Sequence, residues 1–124
     1  MFKINADKSI YLTRGDHASF ILVADNNGKA HTFSKGDLVR FTVCEKKACH
    51  CVALQKDFPI ESETQGVEIV LTKEDTKIGN EISKPTDYWY EVELNPETTP
   101  KTIIGYDNDG AKVLKLFPEG GEKV

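Results

Sequence analysis

Four side chains that commonly bind metal ions lie close together in the first half of the chain: Cys44, Cys49, His50 and Cys51. Thiolate and imidazole groups are the ligands that zinc prefers in proteins, so the residue types fit a zinc site. The spacing fits poorly, because a closed zinc site usually combines two separate Cys-x-x-Cys pairs, each on a tight turn. We therefore expect no metal and no other cofactor here, and we interpret residues 45–48 as the tip of a β-hairpin.

The redox state of these cysteines is a separate question. The chain has three cysteines, and an odd number without a signal sequence favours free thiols in a reducing compartment. One alternative stays open. In the predicted hairpin Cys44 and Cys51 lie across from each other, which is close enough for a disulfide bond.

The remaining histidines, His17 and His31, have no evident catalytic partner. Nucleophilic catalysis needs a Ser or Cys beside a base that a third group orients. The sequence contains no nucleophile elbow, no glycine-rich phosphate loop and no His-Glu-x-x-His pattern. We therefore expect no enzymatic activity.

The segment Asp-Asn-Asp-Gly at residues 107–110 begins like a calcium-binding loop. The bidentate Glu that should follow at the twelfth position is replaced by Pro118, which has no carboxylate. An Asp-Gly pair between two apolar segments is instead typical of a hairpin turn, so we predict a hairpin here.

One aromatic side chain is a candidate for binding a partner. In the segment around Trp89, alternation places Tyr88 and Tyr90 on one face of a strand and Trp89, Glu91 and Glu93 on the other. Core packing accounts for the two tyrosines. A Trp on the solvent face can stack on a sugar or contact a protein, so Trp89, Glu91 and Glu93 are the candidate binding residues.

The elements that would hold these residues are short β-strands. Apolar side chains recur at every second position, as at Val39, Phe41 and Val43, and turn-forming segments separate such runs. We predict an all-β fold, an antiparallel β-sandwich or partly open barrel of eight or nine strands, because so many strands cannot form one flat sheet. The predicted strands lie near residues 9–14, 17–24, 30–33, 38–45, 51–58, 66–72, 87–95, 102–106 and 111–117.

Two further structural expectations concern helices and parallel strands. At most one short helical turn is expected, with Thr72 as its cap and Gly79 at its end. Parallel pairing is not expected, because no segment has the apolar stripe of a crossover helix.

Length and charge limit the organisation and the partners of the chain. The 124 residues suit a single domain, which we place at residues 1–117, followed by a flexible tail at 118–124. A net charge of −4 disfavours nucleic acid, and the longest apolar run, residues 20–24, is too short to span a membrane. No secretory signal is evident at the N-terminus.

The charge is also uneven along the chain. Up to Ile60 there are nine Lys or Arg residues and six Asp or Glu, and from Glu61 onward there are seven and fourteen. Such a division would allow head-to-tail contact with a copy of the chain or with a neighbour, although a solvated surface also explains it.

Several segments resemble the N-terminal domains of baseplate upper proteins and tail fibres from phages and prophages of Gram-positive bacteria. The resemblance implies a β-sandwich that joins a receptor-binding or fibre part to the baseplate, in an oligomer and without enzymatic activity. The segments are Ile-Tyr-Leu-Thr-Arg-Gly-Asp at 10–16, Gly-Asp-Leu-Val-Arg-Phe-Thr-Val at 36–43, Leu-Thr-Lys-Glu-Asp-Thr-Lys at 71–77, Tyr-Trp-Tyr-Glu-Val-Glu-Leu at 88–94 and Thr-Ile-Ile-Gly-Tyr-Asp at 102–107.

The functional expectation follows from this resemblance and from the lack of catalytic motifs. We expect a structural or adaptor module of a phage tail or baseplate that acts through protein–protein docking. Its partners would be other tail or baseplate proteins, with a homo-oligomer as a further option, and no nucleic acid or membrane. It would reside in the bacterial cytoplasm before assembly and in the virion tail afterwards. The alternative is a carbohydrate-binding module that uses Trp89 and the loop at residues 80–87.

Overall fold

The computed structural model describes residues 1–26, 28–46, 51–79, 83–105 and 110–119. The all-β prediction is confirmed, since none of these residues lies in a helix. The chain forms the strands β1 (Phe2–Ile4), β2 (Ile10–Thr13), β3 (Ala18–Leu22), β4 (Asp25–Asn26), β5 (Lys29–Ala30), β6 (Leu38–Cys44), β7 (Val52–Pro59), β8 (Val67–Leu71), β9 (Thr86–Leu94), β10 (Lys101–Ile104) and β11 (Lys112–Phe117).

A large sheet in the order β1-β2-β11-β9-β6-β7 is the base of the fold, with β10 also paired to β9. Its central strand β9 shows the alternation expected from the sequence. Tyr88, Tyr90, Val92 and Leu94 are buried, and the residues between them are more exposed. Because a slip of one residue would turn every side chain to the other face, this pattern fixes the register of the strand.

A two-stranded ribbon of β3 and β8 covers the inner face of the large sheet. Phe20 of the ribbon contacts Phe41 of the sheet edge to face, with ring centroids 6.4 Å apart. One hydrophobic cluster joins the two layers, so there is a single core. The layers are unequal, since a ribbon of two strands faces a sheet six strands wide, and the arrangement differs in this respect from a regular sandwich.

The sheet contains one parallel pair, which corrects the expectation of purely antiparallel strands. β11 runs parallel to β2, with Leu114 opposite Ile10 and Leu116 opposite Leu12. No crossover helix is needed, because most of the chain lies between the two strands and makes the connection. The last strand thereby closes the sheet between β2 and β9.

The two strands that flank residues 107–110 do not form the predicted hairpin ladder. β10 and β11 do not pair with each other, since β11 pairs with residues 86–90 of β9 and β10 with residues 92–94. β6 occupies the other edge of β9, so β10 and β11 follow one another along the same edge. The physical reason is that β9 is nine residues long and has room for both. Residues 107–109 lie outside the described part of the chain.

The turn expected after β8 is present, as a single turn over residues 73–76. The Thr72 hydroxyl accepts a hydrogen bond from the Asp75 amide at 3.2 Å, and the Asp75 carboxylate accepts one from the Thr72 amide at 2.9 Å. This reciprocal pair is the capping arrangement that favours such a turn. The buried Thr76 hydroxyl then donates to the Asp16 carbonyl at 2.8 Å and fixes the turn against the β2–β3 connection.

The strand predictions need correction in two regions, and the described residues form eleven strands where eight or nine were expected. The predicted strand at 30–33 is reduced to the end of β5 and one bridge between Phe33 and Thr64. β1 and β4 were not predicted, because three and two residues are too few to show alternation. The predicted tail at 118–124 lies outside the described residues from residue 120 onward.

Candidate docking surfaces

The outer face of the large sheet carries the residues that the sequence singled out. Trp89, Glu91 and Glu93 lie on this face together, and all three are partly exposed. Of the loop expected to accompany them, residues 80–82 lie outside the described part, and Thr86 and Asp87 already belong to β9.

An apolar row crosses the outer face at Trp89. The register places Val113 of β11 on one side of Trp89 and Cys44 of β6 on the other, with Val52 of β7 beyond Cys44. Cys44 is fully buried, whereas Val52 is 55% exposed. These four residues are called the Trp89 row below. Their contacts leave only part of the Trp89 surface open to a partner.

Next to the acidic pair, a positive charge is already neutralised. Arg40 donates to both carboxylate oxygens of Asp57, at 2.7 and 3.1 Å, and to Glu97 at 2.8 Å. These bonds raise the pKa of Arg40 and hold the pKa of Asp57 below its ordinary value. Arg40 also lies opposite Glu93 in the register. Because the Arg40 guanidinium is already bonded to Asp57 and Glu97, this part of the outer face has more carboxylates than positive charges.

The electrostatic state of Glu91 reflects this excess. Burial, followed by the nearby charge of Glu93, raises the pKa of the Glu91 carboxyl. Two carboxylates with no acid–base partner among the described residues provide hydrogen-bond acceptors for a ligand.

The cysteine cluster does not form the bridge that the sequence left open. A register shift between Val43 and Cys44 places Val52, not Cys51, opposite Cys44. Cys51 is a free thiol and Cys44 is disulfide-bonded, so the expectation of free cysteines is confirmed for Cys51 and wrong for Cys44. Cys49 and His50 lie outside the described residues. Within the described part of the chain, no group of three potential ligands is placed to hold a metal ion.

A second surface, which the sequence analysis did not single out, lies where the ribbon meets the first strand. Ile4 of β1 and Ile21 and Val23 at the end of β3 line a groove of about 160 Å³, with Phe20 and Ile104 also in its wall. Ile4 is 44% exposed, Ile21 61% and Val23 58%. This set of five residues is called the edge groove below. It is the part of the described surface where exposed large apolar side chains cluster.

Unpaired backbone borders the edge groove. β1 is the last strand of the large sheet and pairs only with β2. The Asn5 amide donates to the Ser9 carbonyl at 2.8 Å, and the Thr13 amide donates to the Met1 carbonyl at 2.9 Å. Since bonding direction alternates along an antiparallel strand, odd-numbered residues of β1 face β2. The N–H and C=O groups of Phe2 and Ile4 therefore face outward.

Two contacts hold β1 and the adjoining loop in place beside the ribbon. The Phe2 ring stacks on the Phe20 ring, with centroids 5.9 Å apart and planes 17° from parallel. The Tyr90 hydroxyl donates to the Lys8 carbonyl beneath the loop. Burial raises the pKa of Tyr90 to about 12, so this donor keeps its proton at physiological pH.

The sequence did contain a signal for the edge groove. The run from Phe20 to Ala24 is apolar without interruption, whereas a strand with one wet face alternates. A continuous run on a strand must place an apolar side chain on each face. Ile21 and Val23 are the outward-facing members of this run.

His31, for which the sequence offered no partner, lies between two small clefts of about 190 and 200 Å³. Its ring meets the Phe33 ring edge to face at 4.9 Å, and its buried Nε2 atom forms no hydrogen bond to the described residues. The clefts share His31, Leu94 and Lys101. His17 is exposed beside the β2–β3 turn.

No protein-family model, curated protein or solved structure matches this chain. In the part of the chain that the structure describes, no helix has the length and apolar character needed to cross a membrane.

Proposed function

We propose that this chain is a non-enzymatic adaptor that docks onto another protein, and that its partners are phage tail or baseplate proteins of the kind the sequence resembles. One observation carries the docking role: the exposed side chains of Ile4, Ile21 and Val23 share one groove. Clustered apolar groups at the surface of a soluble protein are unfavourable in water and commonly mark a contact surface.

The size of the effect fits a docking role. Complete burial of an aliphatic side chain is worth about 1.5–3 kcal/mol. The three exposed side chains of the edge groove therefore supply enough free energy to matter for association, after part of it is offset by the entropy lost on binding. Docking by an adaptor requires only such non-covalent contacts.

The competing proposal is a carbohydrate-binding module centred on Trp89. It is supported by the position of Trp89 on the outer face beside two carboxylates, which could accept hydrogen bonds from sugar hydroxyls. Against it stands the partial burial of Trp89 within its row. The polar side chains that line the edge groove are Lys8 and Tyr90, and the Tyr90 hydroxyl is already bonded to the Lys8 carbonyl.

The test is direct binding between the purified chain and the proteins encoded beside its gene, measured by biolayer interferometry. Ile21→Ser and Val23→Ser should each weaken binding by about tenfold, since each removes an apolar contact. Val52→Ser is the matched control because Val52 is similarly exposed but lies on β7, outside the groove. Its affinity should match that of the unchanged chain.

Two results would count against the proposal. One is equal binding by all variants, and the other is no binding to any of these proteins. A glycan array run with the same preparations separates the alternative: sugar binding that Trp89→Ala abolishes would establish the carbohydrate-binding role instead.

A further inference from the structure

We infer that the edge groove binds an extended segment of a different protein, which adds to the outer edge of β1 as a further strand. The segment would carry apolar side chains at alternate positions and acidic side chains between them. This inference rests on the proposed docking function, and it adds the mode of binding and the chemistry of the partner.

The backbone supports strand addition. The amide and carbonyl groups of Phe2 and Ile4 face away from β2, so they offer two donors and two acceptors spaced along an edge. An edge strand with free main-chain groups is the usual acceptor for an added strand. Nothing else in the described part of the chain pairs with this edge.

The side chains supply the apolar half of the recognition. Ile4 projects from β1 on the same side as Phe2, toward the ribbon, where Ile21 and Val23 extend the apolar surface. Residues of an added strand that point to this side would rest in the edge groove. Side chains at alternate positions of a strand share one face, so the apolar requirement falls on every second residue of the partner.

The charged residues near β1 indicate what kind of partner the edge would bind. Lys3 points to the opposite side of β1 from Ile4, and Lys8 lines the groove. Neither forms an ion pair with a described residue. Asp7, the nearby carboxylate, lines a different cleft with Lys112. Lys3 therefore presents an unpaired positive charge on the side to which the intervening side chains of the added strand point, and it favours acidic residues at those positions.

The Lys3 charge also disfavours a second copy of this chain. A symmetric pair of β1 strands would run antiparallel about a two-fold axis, and in the register that pairs all three residues of each strand the middle residue faces its equivalent. The middle residue of β1 is Lys3, so two like charges would lie directly opposite each other. A different protein with acidic residues at those positions meets no such repulsion.

The experiment uses the full chain and peptides of about ten residues that alternate Val and Glu, long enough to span an edge strand. Isothermal titration calorimetry should detect binding of the Val-Glu peptide. A Val-Lys peptide, which has the same apolar face and the reverse charge, should bind at least about tenfold more weakly. A Val-Glu peptide methylated on alternate backbone nitrogens should not bind, because it cannot complete the main-chain bonds.

Variants of β1 distinguish the contribution of the main-chain hydrogen bonds to binding from that of the side chains. Ile4→Pro removes the outward N–H and leaves the bonds to β2 in place, whereas Ile4→Val keeps the N–H and most of the apolar surface. Only Ile4→Pro should abolish binding of the Val-Glu peptide. Lys3→Glu, at an exposed position, should reverse the preference so that the Val-Lys peptide binds better.

The inference is overturned if the Val-Glu peptide does not bind, if its methylated form binds equally well, or if Lys3→Glu leaves the preference unchanged. Its failure can be told apart from failure of the docking proposal. Should binding to a neighbouring protein depend on Ile21 and Val23 but tolerate Ile4→Pro, docking stands and strand addition is wrong.

Discussion

The ammonium group of Lys56 lies 2.6 Å from a carboxylate oxygen of Asp75, and this contact ties the edge strand β7 to the turn that follows β8. The same ammonium group donates to the Val70 carbonyl at 2.8 Å. Both charged side chains are mostly buried, with 30% and 22% of their surfaces exposed. The ribbon is thus fastened to the sheet at β8, while its other strand, β3, borders the edge groove.

Replacing the Lys56 ammonium should measure the strength of this fastening. We expect Lys56→Met to lower the free energy of unfolding by about 1–2 kcal/mol, because Asp75 and the Val70 carbonyl lose a charged donor while the apolar stem is retained. Urea denaturation followed by circular dichroism gives the value.

A surface ion pair provides the matched control for Lys56→Met. Lys115 and Asp87 are 3.8 Å apart and considerably more exposed, so Lys115→Met should cost less than about 0.5 kcal/mol. Equal losses in the two variants would show that the Lys56 contact has no special role.

The contact also predicts a dependence of stability on pH. Burial acts to raise the pKa of Asp75, but hydrogen bonds from Lys56 and Thr72 outweigh it, so the pKa lies below its ordinary value of 3.8. A carboxyl whose pKa is lowered by folding stabilises the fold above its unfolded pKa, and this stability is lost as the pH falls through the folded pKa. The ionised Asp75 therefore stabilises the protein at neutral pH.

The measurement compares the unchanged chain with Asp75→Asn in urea at a series of pH values. The variant should be less stable at neutral pH, and the difference should shrink as the pH falls below about 4. A difference that stays constant down to about pH 2 would contradict the assigned role of the charge.

Glu91 should show the opposite sign. Its pKa is raised by burial and then by Glu93, so folding favours the protonated form and the charge costs stability at neutral pH. We expect Glu91→Gln to stabilise the protein by about 0.5 kcal/mol at neutral pH, a small value because solvent screens a partly exposed group. The gain should vanish in acid, where the carboxyl is protonated in both states.

The control for Glu91 is Glu68→Gln on β8. Glu68 is exposed on the outer side of the ribbon, and this change should leave the unfolding free energy unaltered. If Glu91→Gln instead lowers stability at neutral pH, the ionised Glu91 carboxylate stabilises the fold and the expected sign is wrong.

Asn95, the first residue after β9, has a left-handed conformation with φ of 49°. Its side chain accepts from the Leu38 amide at 2.8 Å and donates to Asp37 at 3.1 Å, which joins the ends of β9 and β6. We expect Asn95→Gly to destabilise the protein through loss of these bonds. Asn95→Ala should cost about 1 kcal/mol more, because its Cβ is also strained at positive φ.

Lys8 is the matched position for this comparison, since it also has a positive φ, of 72°, but has an exposed side chain. Lys8→Gly relieves backbone strain without losing a side-chain hydrogen bond, so thermal denaturation should show no loss of stability. A melting temperature for Asn95→Ala at or above that of Asn95→Gly would refute the conformational part of the argument.

Patterns among residues close in sequence predicted much of the fold. Alternation around Val39–Val43 and Tyr88–Leu94 predicted the two central strands and their buried faces, and it placed Trp89 with Glu91 and Glu93 on one side. The capped turn after β8 was also evident, because Thr72 and Asp75 act on backbone groups only three residues away. Both features depend on near neighbours in the chain, which a sequence displays directly.

Pairing between distant segments was decided by the tertiary structure. The Asp-Gly segment near residue 110 looked like a hairpin turn, yet β10 and β11 pair along β9, because the length of β9 and the position of β6 determine which edge is available. The parallel pairing of β11 with β2 and the edge groove between β1 and β3 arise in the same way. The apolar run at residues 20–24 is visible in the sequence, but it was not used to predict a surface. Only the folded chain brings Ile4 beside Ile21 and Val23 and leaves the outer edge of β1 unpaired, since those contacts join residues far apart in sequence.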